Sequence, residues 1–383
     1  MSGEIKSGEI KSLLIVSGES SGELYGALLA HEITARHPDV KIFGVGGEKM
    51  KSAGVDVFRH VSHTFGITEA LHTLKELKET FKETLRRVEE LRPPLAVLID
   101  FPDFNFKLAR ELKKRGVKVL YYVSPQVWAW RRGRVRKMKG FVDWIGLILP
   151  FEEALYRKEG VPCEFVGHPV MDEIKRMGEV KKSDLGLPEA PLISILPGSR
   201  PGELKLHLPV MAEALPLIKR EFPEYRCFIP VAPNLDIRPF SREWGELRDL
   251  GAVIKKESAL KALAVSEAAL IASGTATLQS ALLKTPFCVF YKLSPITFLA
   301  GRLLVKVKYV SLLNILLGRL AAKEFLQKEA NAPNIMAELR RLLRDHPYRD
   351  RMKADFARVS SLYEGKNASS RVAEQAVRMA GWS

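Results

Sequence analysis

The sequence has few cysteines and no metal-binding pattern. Its 383 residues include three cysteines, Cys163, Cys227 and Cys288, which lie far apart. There is no CxxC pair and no Cys/His spacing typical of a zinc site. These absences predict a reducing compartment and no structural zinc.

Long apolar runs are absent too. The nearest approach to a membrane span, 296–322, is interrupted by Arg302, Lys306, Lys308 and Arg319. Such a segment does not cross a bilayer comfortably, although it can lie on one. The N-terminus is polar and its apolar run is short, so we expect no signal peptide.

Acidic residues are outnumbered by basic ones. There are 60 Lys and Arg against 45 Asp and Glu, a formal charge of +15. Such a surface suits nucleic acid, anionic lipid or phosphorylated substrates, and composition alone does not choose among them. The hydrophobic fraction of 46% and the length are those of a folded protein with room for two domains.

Short apolar strands alternate with helical segments throughout the chain. The predicted strands are 13–17, 40–45, 55–61, 95–99, 117–123, 192–196, 268–272 and 287–291. The clearest predicted helices are 24–35, 71–91, 106–114 and 278–283. This alternation predicts an α/β fold with two Rossmann-like domains, each a parallel sheet covered by helices.

The pattern restarts after Gly167-His168-Pro169, which places the predicted domain boundary there. We expect an N-terminal domain over 1–168, a C-terminal domain over 169–347 and a helical tail over 348–383. The tail is expected to pack on the first domain or on a partner chain, which leaves a homodimer open.

The stretch 271–291 is the strongest candidate for an anion site. A buried strand ends in Ser273, Gly274, Thr275, Ala276 and Thr277, and a helix and a second strand follow. Backbone N–H groups and hydroxyls at a helix N-terminus favour a diphosphate. The alternative is a tight turn in which Thr275 or Thr277 serves as the N-cap.

Two carboxylates follow the predicted strand at 95–99, in the stretch IDFPDFNF. Ligands of open α/β sheets bind beyond the carboxyl ends of the strands. Asp103, supported by Asp100, is therefore the candidate general base for an attacking hydroxyl. The alternative is that Asp103 caps the helix that follows.

Three further stretches carry candidate chemistry. SGESSGELYG, after the first strand, is neither a dinucleotide fingerprint nor a P-loop. Its Glu19 and Glu23 repel a diphosphate but suit sugar hydroxyls, unless the segment is simply a capped turn. Arg200, in the turn LPGSR, is placed to bind phosphate oxygens, unless it is an ordinary surface arginine.

The third stretch, YYVSPQVWAW at 121–130, is aromatic and precedes the basic run RRGRVRKMK. Its rings are expected to line a groove for a lipid or a sugar face. The basic run suits phosphates or anionic headgroups, or it is a solvated helix face.

Taken together, these motifs resemble the lipid-A-disaccharide synthase family over residues 12 to 330. The matching stretches, in order, are SGESSGELYG, FGITE at 65–69, IDFPDFNF, YYVSPQVWAWRRGR, LPFE at 149–152, FVGHPV at 165–170, LPGSR and ASGTATLQ. The resemblance implies a metal-independent glycosyltransferase of the B architecture, with an active site in the cleft between two Rossmann-like domains and no cofactor.

The resemblance also implies a reaction. The family transfers 2,3-diacylglucosamine from its UDP derivative to the 6-hydroxyl of 2,3-diacylglucosamine 1-phosphate, with inversion at the anomeric carbon. The products are the β-1',6-linked disaccharide 1-phosphate and UDP. The protein is then expected in the cytoplasm, held peripherally at the inner membrane. We expect the segments 65–81 and 296–322 to meet its lipids.

Site residues follow from the resemblance as well. Asp103 and Asp100 are the catalytic candidates. The sugar side is assigned to Glu19, Ser20, Ser21 and Gly22. The UDP side is assigned to Gly198, Ser199, Arg200, Ser273, Gly274, Thr275, Ala276, Thr277, Gln279, Asn314, Glu324 and Gln327. The chain departs from the family at Gln279, where Glu is usual, and at Lys323-Glu324, where Pro-Glu is usual.

Other classes of protein predict other features. A transferase acting on a different lipid acceptor shares the UDP-sugar site, and a UDP-sugar 2-epimerase would not need the apolar segments. A nucleic-acid-binding protein would interleave aromatic and basic residues on one surface. The clustered aspartates of IDFPDFNF disfavour nucleic acid as a partner.

Overall fold

A computed structural model describes residues 11–18, 20–60, 67–126, 133–233, 235–295, 298–299 and 308–382, with the backbone alone at 20, 67–73 and 134. The chain divides into two compact units. Unit 1 is Met1–Asp172 with Gly365–Ser383, and unit 2 is Glu173–Glu364. Each unit contains one parallel sheet, so the predicted α/β class with two parallel-sheet domains is confirmed.

Unit 1 has a seven-stranded sheet in the order β3-β2-β1-β4-β5-β6-β7. Its strands are β1 Ser12–Ser17, β2 Lys41–Val45, β3 Asp56–Arg59, β4 Leu95–Ile99, β5 Lys118–Tyr122, β6 Trp144–Leu147 and β7 Cys163–Phe165. All neighbouring strands pair in parallel. The order reverses between β1 and β4, the kind of position where open α/β sheets bind ligands.

Helices cover both faces of this sheet. They are α1 Ser20–Arg36, α2 Glu48–Ser52, α3 Ile67–Leu91, α4 Pro102–Lys114, α5 Gly133–Met138 and α6 Glu152–Lys158, with α15 Ala368–Ala380 from the chain's end. The next helix, α7 Pro169–Met177, contains the boundary between the two units, which falls after Asp172. Alternate residues of β1 point to opposite faces: Leu13 and Ile15 pack in one buried cluster, and Leu14 and Val16 in the other.

Two of these helices begin four residues before the predicted start. Helix α1 begins at Ser20 and α4 begins at Pro102, whereas the apolar pattern placed their starts at 24 and 106. Proline suits the first position of a helix because its missing N–H has no partner there in any case. Asp103 and Asn105 therefore lie within α4 rather than in a loop before it.

Unit 2 has a six-stranded parallel sheet in the order β10-β9-β8-β11-β12-β13. Its strands are β8 Leu192–Leu196, β9 Arg226–Val231, β10 Val253–Lys256, β11 Ala268–Ile271, β12 Phe287–Tyr291 and β13 Glu324–Leu326. Its helices are α8 Pro201–Glu221, α9 Ser241–Asp249, α10 Ala259–Ala264, α11 Thr275–Leu282, α12 Leu312–Leu317, α13 Ala332–Arg344 and α14 His346–Ser361. Short 3-10 helices occur at Ser183–Leu185, Arg238–Phe240 and Gln327–Glu329.

The C-terminal segment does not form the single tail predicted over 348–383. Helix α14 belongs to unit 2, where Phe356 is buried and stacks on Phe287 with ring centroids 5.9 Å apart. Only the end of the chain returns to unit 1, where Val372 is buried in the sheet's core and the Ser369 N–H donates to Asp172 over 2.8 Å. The predicted tail is divided because each helix buries its own apolar residues: α14 buries Phe356 in unit 2, and α15 buries Val372 in unit 1.

Candidate functional site

The chain makes a left-handed turn directly after β4. Asp100 and Phe101 have φ angles of +46° and +49°, a conformation that non-glycine residues rarely adopt. The buried Asn105 donates from its side-chain amide to the Asp100 carbonyl over 2.8 Å, and the Tyr121 hydroxyl donates to the same oxygen. These bonds hold a strained turn at the sheet's carboxyl end, a feature that clusters at functional sites.

Asp103 lies on the solvent side of this turn. It is an exposed residue in the first turn of α4, whose N-cap is Phe101. Asp103 is therefore not the N-cap of α4, because it lies within the helix and the N-cap is Phe101. Asp103 opens onto a depression of about 210 Å³, whose other lining residues are Phe106, Lys107, Arg110 and Lys137.

The SGESSGELYG stretch lies beside the turn. Ser17 pairs with Ile99 in register, so the segments that follow β1 and β4 leave the sheet side by side. A Cβ added to Gly18 would lie 2.4 Å from the Phe101 ring, so only glycine admits this contact. The structure thus brings the predicted sugar-side segment against the predicted catalytic turn.

The structure describes only some of the predicted sugar-side residues, and it gives Glu23 another partner. Ser21 and Gly22 lie in the first turn of α1, and a Cβ on Gly22 would lie 2.7 Å from the Ser17 hydroxyl oxygen. Glu19 lies outside the described residues, and only the backbone of Ser20 is described. Glu23 accepts the N–H of Lys49 over 2.6 Å at the start of α2. Its carboxylate therefore serves that helix rather than sugar hydroxyls.

Two aromatic residues of the stretch at 121–130 lie in the core of unit 1. Tyr121 and Tyr122 are fully buried in the core of unit 1, on opposite faces of the sheet, which corrects the prediction that they line a groove. They are buried because β5 is an inner strand, covered on both faces. The residues at 127–132 lie outside the described residues.

In unit 2, the turn after β8 contains Gly198, Ser199 and Arg200. Gly198 has a φ of +101°, and Arg200 is the N-cap of α8. The Arg200 side chain is 58% exposed, and its guanidinium lies 3.9 Å from the carboxylate of Glu203. An exposed guanidinium at a strand's carboxyl end has the geometry for a phosphate group.

Behind this turn, the buried His207 joins the ends of two strands. Its Nδ1 lies 2.7 Å from the Pro197 carbonyl oxygen, and its Nε2 accepts the Lys292 N–H over 2.9 Å. Because Nε2 is an acceptor, the proton is assigned to Nδ1. Burial lowers the pKa of His207, which favours this neutral form. No pattern in the sequence singled out this role.

The turn after β11 forms the N-terminus of α11. Gly274 is the N-cap with a φ of +122°, so neither Thr275 nor Thr277 is the N-cap. The Ser273 hydroxyl donates to the Val310 carbonyl over 2.6 Å, and the Thr277 hydroxyl accepts the Leu312 N–H over 3.0 Å. These hydroxyls therefore tie the turn to Val310 and to the first residue of α12.

Asn314 and Glu324 complete the same network. Glu324 accepts the N–H groups of Val310 and Ser311 and the side-chain amide of Asn314, at 3.0, 2.9 and 2.8 Å. The buried Asn314 accepts the Ala321 and Ala322 N–H groups through its amide oxygen. Both side chains therefore act on the backbone that surrounds the turn.

The other two predicted donor-side residues also have partners in unit 2. Gln327 bonds both the N–H and the carbonyl of Leu293, over 2.9 and 3.1 Å. The Gln279 amide lies 3.5 Å from a carboxylate oxygen of Glu173, a long contact. Among the described residues, no group of three or more His, Cys, Asp or Glu side chains could hold a metal ion.

A model of the lipid-A-disaccharide synthetase family matches residues 13–379. The chain belongs to the lipid-A-disaccharide synthetase family. This makes it a glycosyltransferase, which confirms the predicted enzyme class and the resemblance from which it came.

Relatives in this family match along nearly their whole length. The lipid-A-disaccharide synthase of Syntrophus aciditrophicus is 37% identical over 374 residues, 96% of this chain and 98% of the relative. That of Myxococcus xanthus is 38% identical over 373 residues, 96% of this chain and 97% of the relative.

Solved structures show where this family's fold recurs. A UDP-GlcNAc 2-epimerase from Neisseria meningitidis, bound to UDP-GlcNAc, matches with a TM-score of 0.65 and 11% identity, covering 96% of this chain and 100% of that one. The calicheamicin glycosyltransferase CalG4 matches with a TM-score of 0.59 and 15% identity, covering 97% and 98%. At such identities the likeness concerns the fold alone.

Proposed function

We propose that the chain transfers 2,3-diacylglucosamine from UDP-2,3-diacylglucosamine to the 6-hydroxyl of 2,3-diacylglucosamine 1-phosphate. The products are the β-1',6-linked disaccharide 1-phosphate and UDP, and the anomeric configuration inverts. The observation that carries the proposal is the strained turn at Asp100–Phe101, which exposes Asp103 beside the segment after β1. Family membership supports the choice of substrates.

The acceptor chemistry belongs to unit 1. Asp103 takes the proton of the 6-hydroxyl as that oxygen bonds to the anomeric carbon of the donor. The bond from that carbon to the diphosphate breaks at the same time, and UDP leaves. Asp100 contributes through the turn that holds the first residues of α4 in place. Glu19, Ser20, Ser21 and Gly22 are assigned to the sugar.

The donor chemistry belongs to unit 2. Arg200, with Gly198 and Ser199, and the N-terminus of α11 at Ser273–Thr277 are assigned to the diphosphate, whose negative charge grows as it leaves. Gln279 is assigned to the ribose, which it can bond without charge. Asn314, Glu324 and Gln327 support this side by fixing the surrounding backbone, as their contacts indicate.

The lipid substrates call for a membrane surface, here the cytoplasmic face of the inner membrane. Among the described residues, the three most exposed large apolar side chains are Leu299, Leu74 and Leu320, at 63%, 56% and 49%. All three lie in the segments 65–81 and 296–322. An exposed leucine beside basic residues favours the interface of an anionic membrane. None of the helices formed by the described residues is long and apolar enough to cross a membrane.

The experiment that tests the proposal uses the purified chain in detergent micelles with EDTA. UDP-2,3-diacylglucosamine is supplied with and without 2,3-diacylglucosamine 1-phosphate, and UDP and lipid products are measured. We expect UDP release only with the acceptor, together with a disaccharide 1-phosphate by mass. Epimerisation of UDP-GlcNAc, or UDP release independent of the acceptor, would contradict it and favour the epimerase or another transferase.

A further inference from the structure

The depression beside Asp103 contains basic side chains to which the proposed reaction assigns no role. One carboxylate, Asp103, shares it with three cations, Lys107, Arg110 and Lys137. The carboxylate is assigned to the acceptor hydroxyl. The three cations have no part in proton transfer, and all of them are exposed.

Local structure gathers these cations in one place. Asp103, Lys107 and Arg110 follow one another at intervals of four and three residues along α4, so they share a face of the helix. Lys137 comes from α5. The Arg110 guanidinium lies 4.9 Å from the centre of the Phe141 ring, which itself packs 5.4 Å from Phe106. The arginine is therefore held against the Phe141 ring, which packs on Phe106, a residue that lines the depression.

The three cations differ from the other basic residues of α4 and its end. Lys113 pairs with Asp143 at 2.7 Å, and Lys114 pairs with Glu111 at 2.6 Å. Within the part of the chain that the structure describes, no carboxylate forms an ion pair with Lys107, Arg110 or Lys137. The depression thus keeps a positive charge that attracts anions.

We propose that Lys107, Arg110 and Lys137 bind the anomeric phosphate of the acceptor sugar, an inference that rests on the function proposed above. The 6-hydroxyl is carried on C5 through C6 and the anomeric phosphate is carried on C1, and these two carbons flank the ring oxygen. The hydroxyl oxygen and the phosphorus of one sugar therefore lie several bond lengths apart. One helical turn separates Asp103 from Lys107, a rise of about 6 Å, which is a separation of the same order. A hydroxyl at Asp103 therefore leaves the phosphate at the cations.

The three cations suit a phosphate monoester. An arginine can bond two phosphate oxygens at once, and two lysines add point charges around the third. A membrane phospholipid offers the same phosphate oxygens, so a headgroup is the other source of this chemistry. We commit to the acceptor because the cations surround Asp103 in one depression rather than extending over an open surface.

The test uses two acceptors and two double variants. The acceptors are 2,3-diacylglucosamine 1-phosphate and the same lipid without its phosphate. The test variant is Lys107→Gln with Lys137→Gln. The matched control is Lys114→Gln with Lys158→Gln, which removes the same charge from exposed positions of unit 1 outside the depression.

We expect the wild-type chain to prefer the phosphorylated acceptor. In the test variant, kcat/KM for that acceptor falls at least about tenfold, mainly through KM, because charged hydrogen bonds are lost. Its kcat/KM for the other acceptor stays unchanged, so the preference collapses. The control keeps the wild-type preference. An equal loss on both acceptors, or a preference that survives, would overturn the inference.

Two further measurements separate the alternatives. Flotation with phosphatidylglycerol vesicles should show the test variant binding as the wild type does. Lost vesicle binding with an intact acceptor preference would assign the cations to the membrane and overturn the inference. UDP affinity and melting temperature show whether each variant is folded. If the double variant is unfolded, the single variant Lys137→Gln replaces it. Failure of the proposed function itself would give a different result, because the wild-type chain would then make no disaccharide from either acceptor.

Discussion

The side-chain amide of Asn105 donates to the carbonyl oxygen of Asp100 over 2.8 Å and to that of Ile99 over 3.3 Å. Asn105 is fully buried, five residues after the oxygen that it holds. The Asn105 side chain therefore holds the left-handed turn at Asp100 and Phe101 in place. This turn sets the direction in which α4 leaves the sheet.

Replacement of Asn105 by alanine should release the turn. The buried Ile99 carbonyl loses this donor, and the Asp100 carbonyl keeps only the Tyr121 hydroxyl. The loss costs about 1–3 kcal/mol in the free energy of unfolding. Urea denaturation measures it. The control is Asn334→Ala, whose amide bonds the Glu329 carbonyl near the surface and should cost less than about 1 kcal/mol. Equal losses in the two variants would show that Asn105 does not brace the turn.

Replacement of Asp103 by asparagine should remove the base and keep the shape. We expect kcat to fall by about 10² to 10⁴, the usual contribution of a general base. The dissociation constant of UDP should not change, because UDP is assigned to unit 2. Asp350→Asn, on an exposed face of α14, is the control and should retain full activity. Near-normal turnover in the Asp103 variant would exclude this residue as the base.

Replacement of Glu324 by glutamine should weaken UDP binding. The carboxylate accepts three donors, whereas an amide has one acceptor oxygen and turns an N–H₂ group toward the rest. The strain falls on the segment tied to Ser273 and Thr277, and we expect about a tenfold loss in UDP affinity by calorimetry. Glu329→Gln, exposed nearby, serves as the control. Wild-type affinity in the Glu324 variant would disconnect this network from the donor.

Acid should destabilise the fold through His168. Its ring is 2% exposed, and burial lowers the pKa of His168 to about 3. The unfolded chain therefore takes up the proton first as pH falls below about 6.5. The stabilisation is complete above that pH and is lost toward pH 3, at up to about 1.4 kcal/mol per pH unit.

This loss can be measured by urea unfolding at a series of pH values between 7.5 and about 4. The His168→Gln variant should show a flatter dependence than the wild type. His207, whose pKa burial also lowers, acts in the same direction in both proteins, so the difference between the two curves isolates His168. Parallel curves would mean that His168 does not titrate differently in the folded state.

The sequence predicted the inner strands best. The bounds 95–99, 192–196 and 287–291 agree with β4, β8 and β12, because strands buried on both faces are continuous apolar runs between polar segments. Helix starts were less predictable. The first turn of α1 is polar, and that of α4 contains Pro102, Asp103 and Asn105 around a single Phe104. In a pattern based on apolar spacing, such turns look like loops.

The candidate site was predictable as a set of segments and not as a set of contacts. Each of the two stretches follows a predicted strand, which placed it at the carboxyl end of a parallel strand, and Ser17 and Ile99 pair there. Three contacts depend on long-range packing. Glu23 accepts an N–H at the start of α2, Tyr121 donates to the Asp100 carbonyl, and Glu324 accepts from three donors. Local sequence carries no signal for such partners.

The measurement that tests the central claim most directly is the linkage in the product. The purified chain is given UDP-2,3-diacylglucosamine and 2,3-diacylglucosamine 1-phosphate, and the isolated lipid is examined by ¹H and ¹³C NMR. The account predicts a β-configured anomeric centre joined to the 6-oxygen of a sugar that retains its 1-phosphate. An α-configured centre, a linkage to another oxygen, or a donor altered without transfer would contradict it.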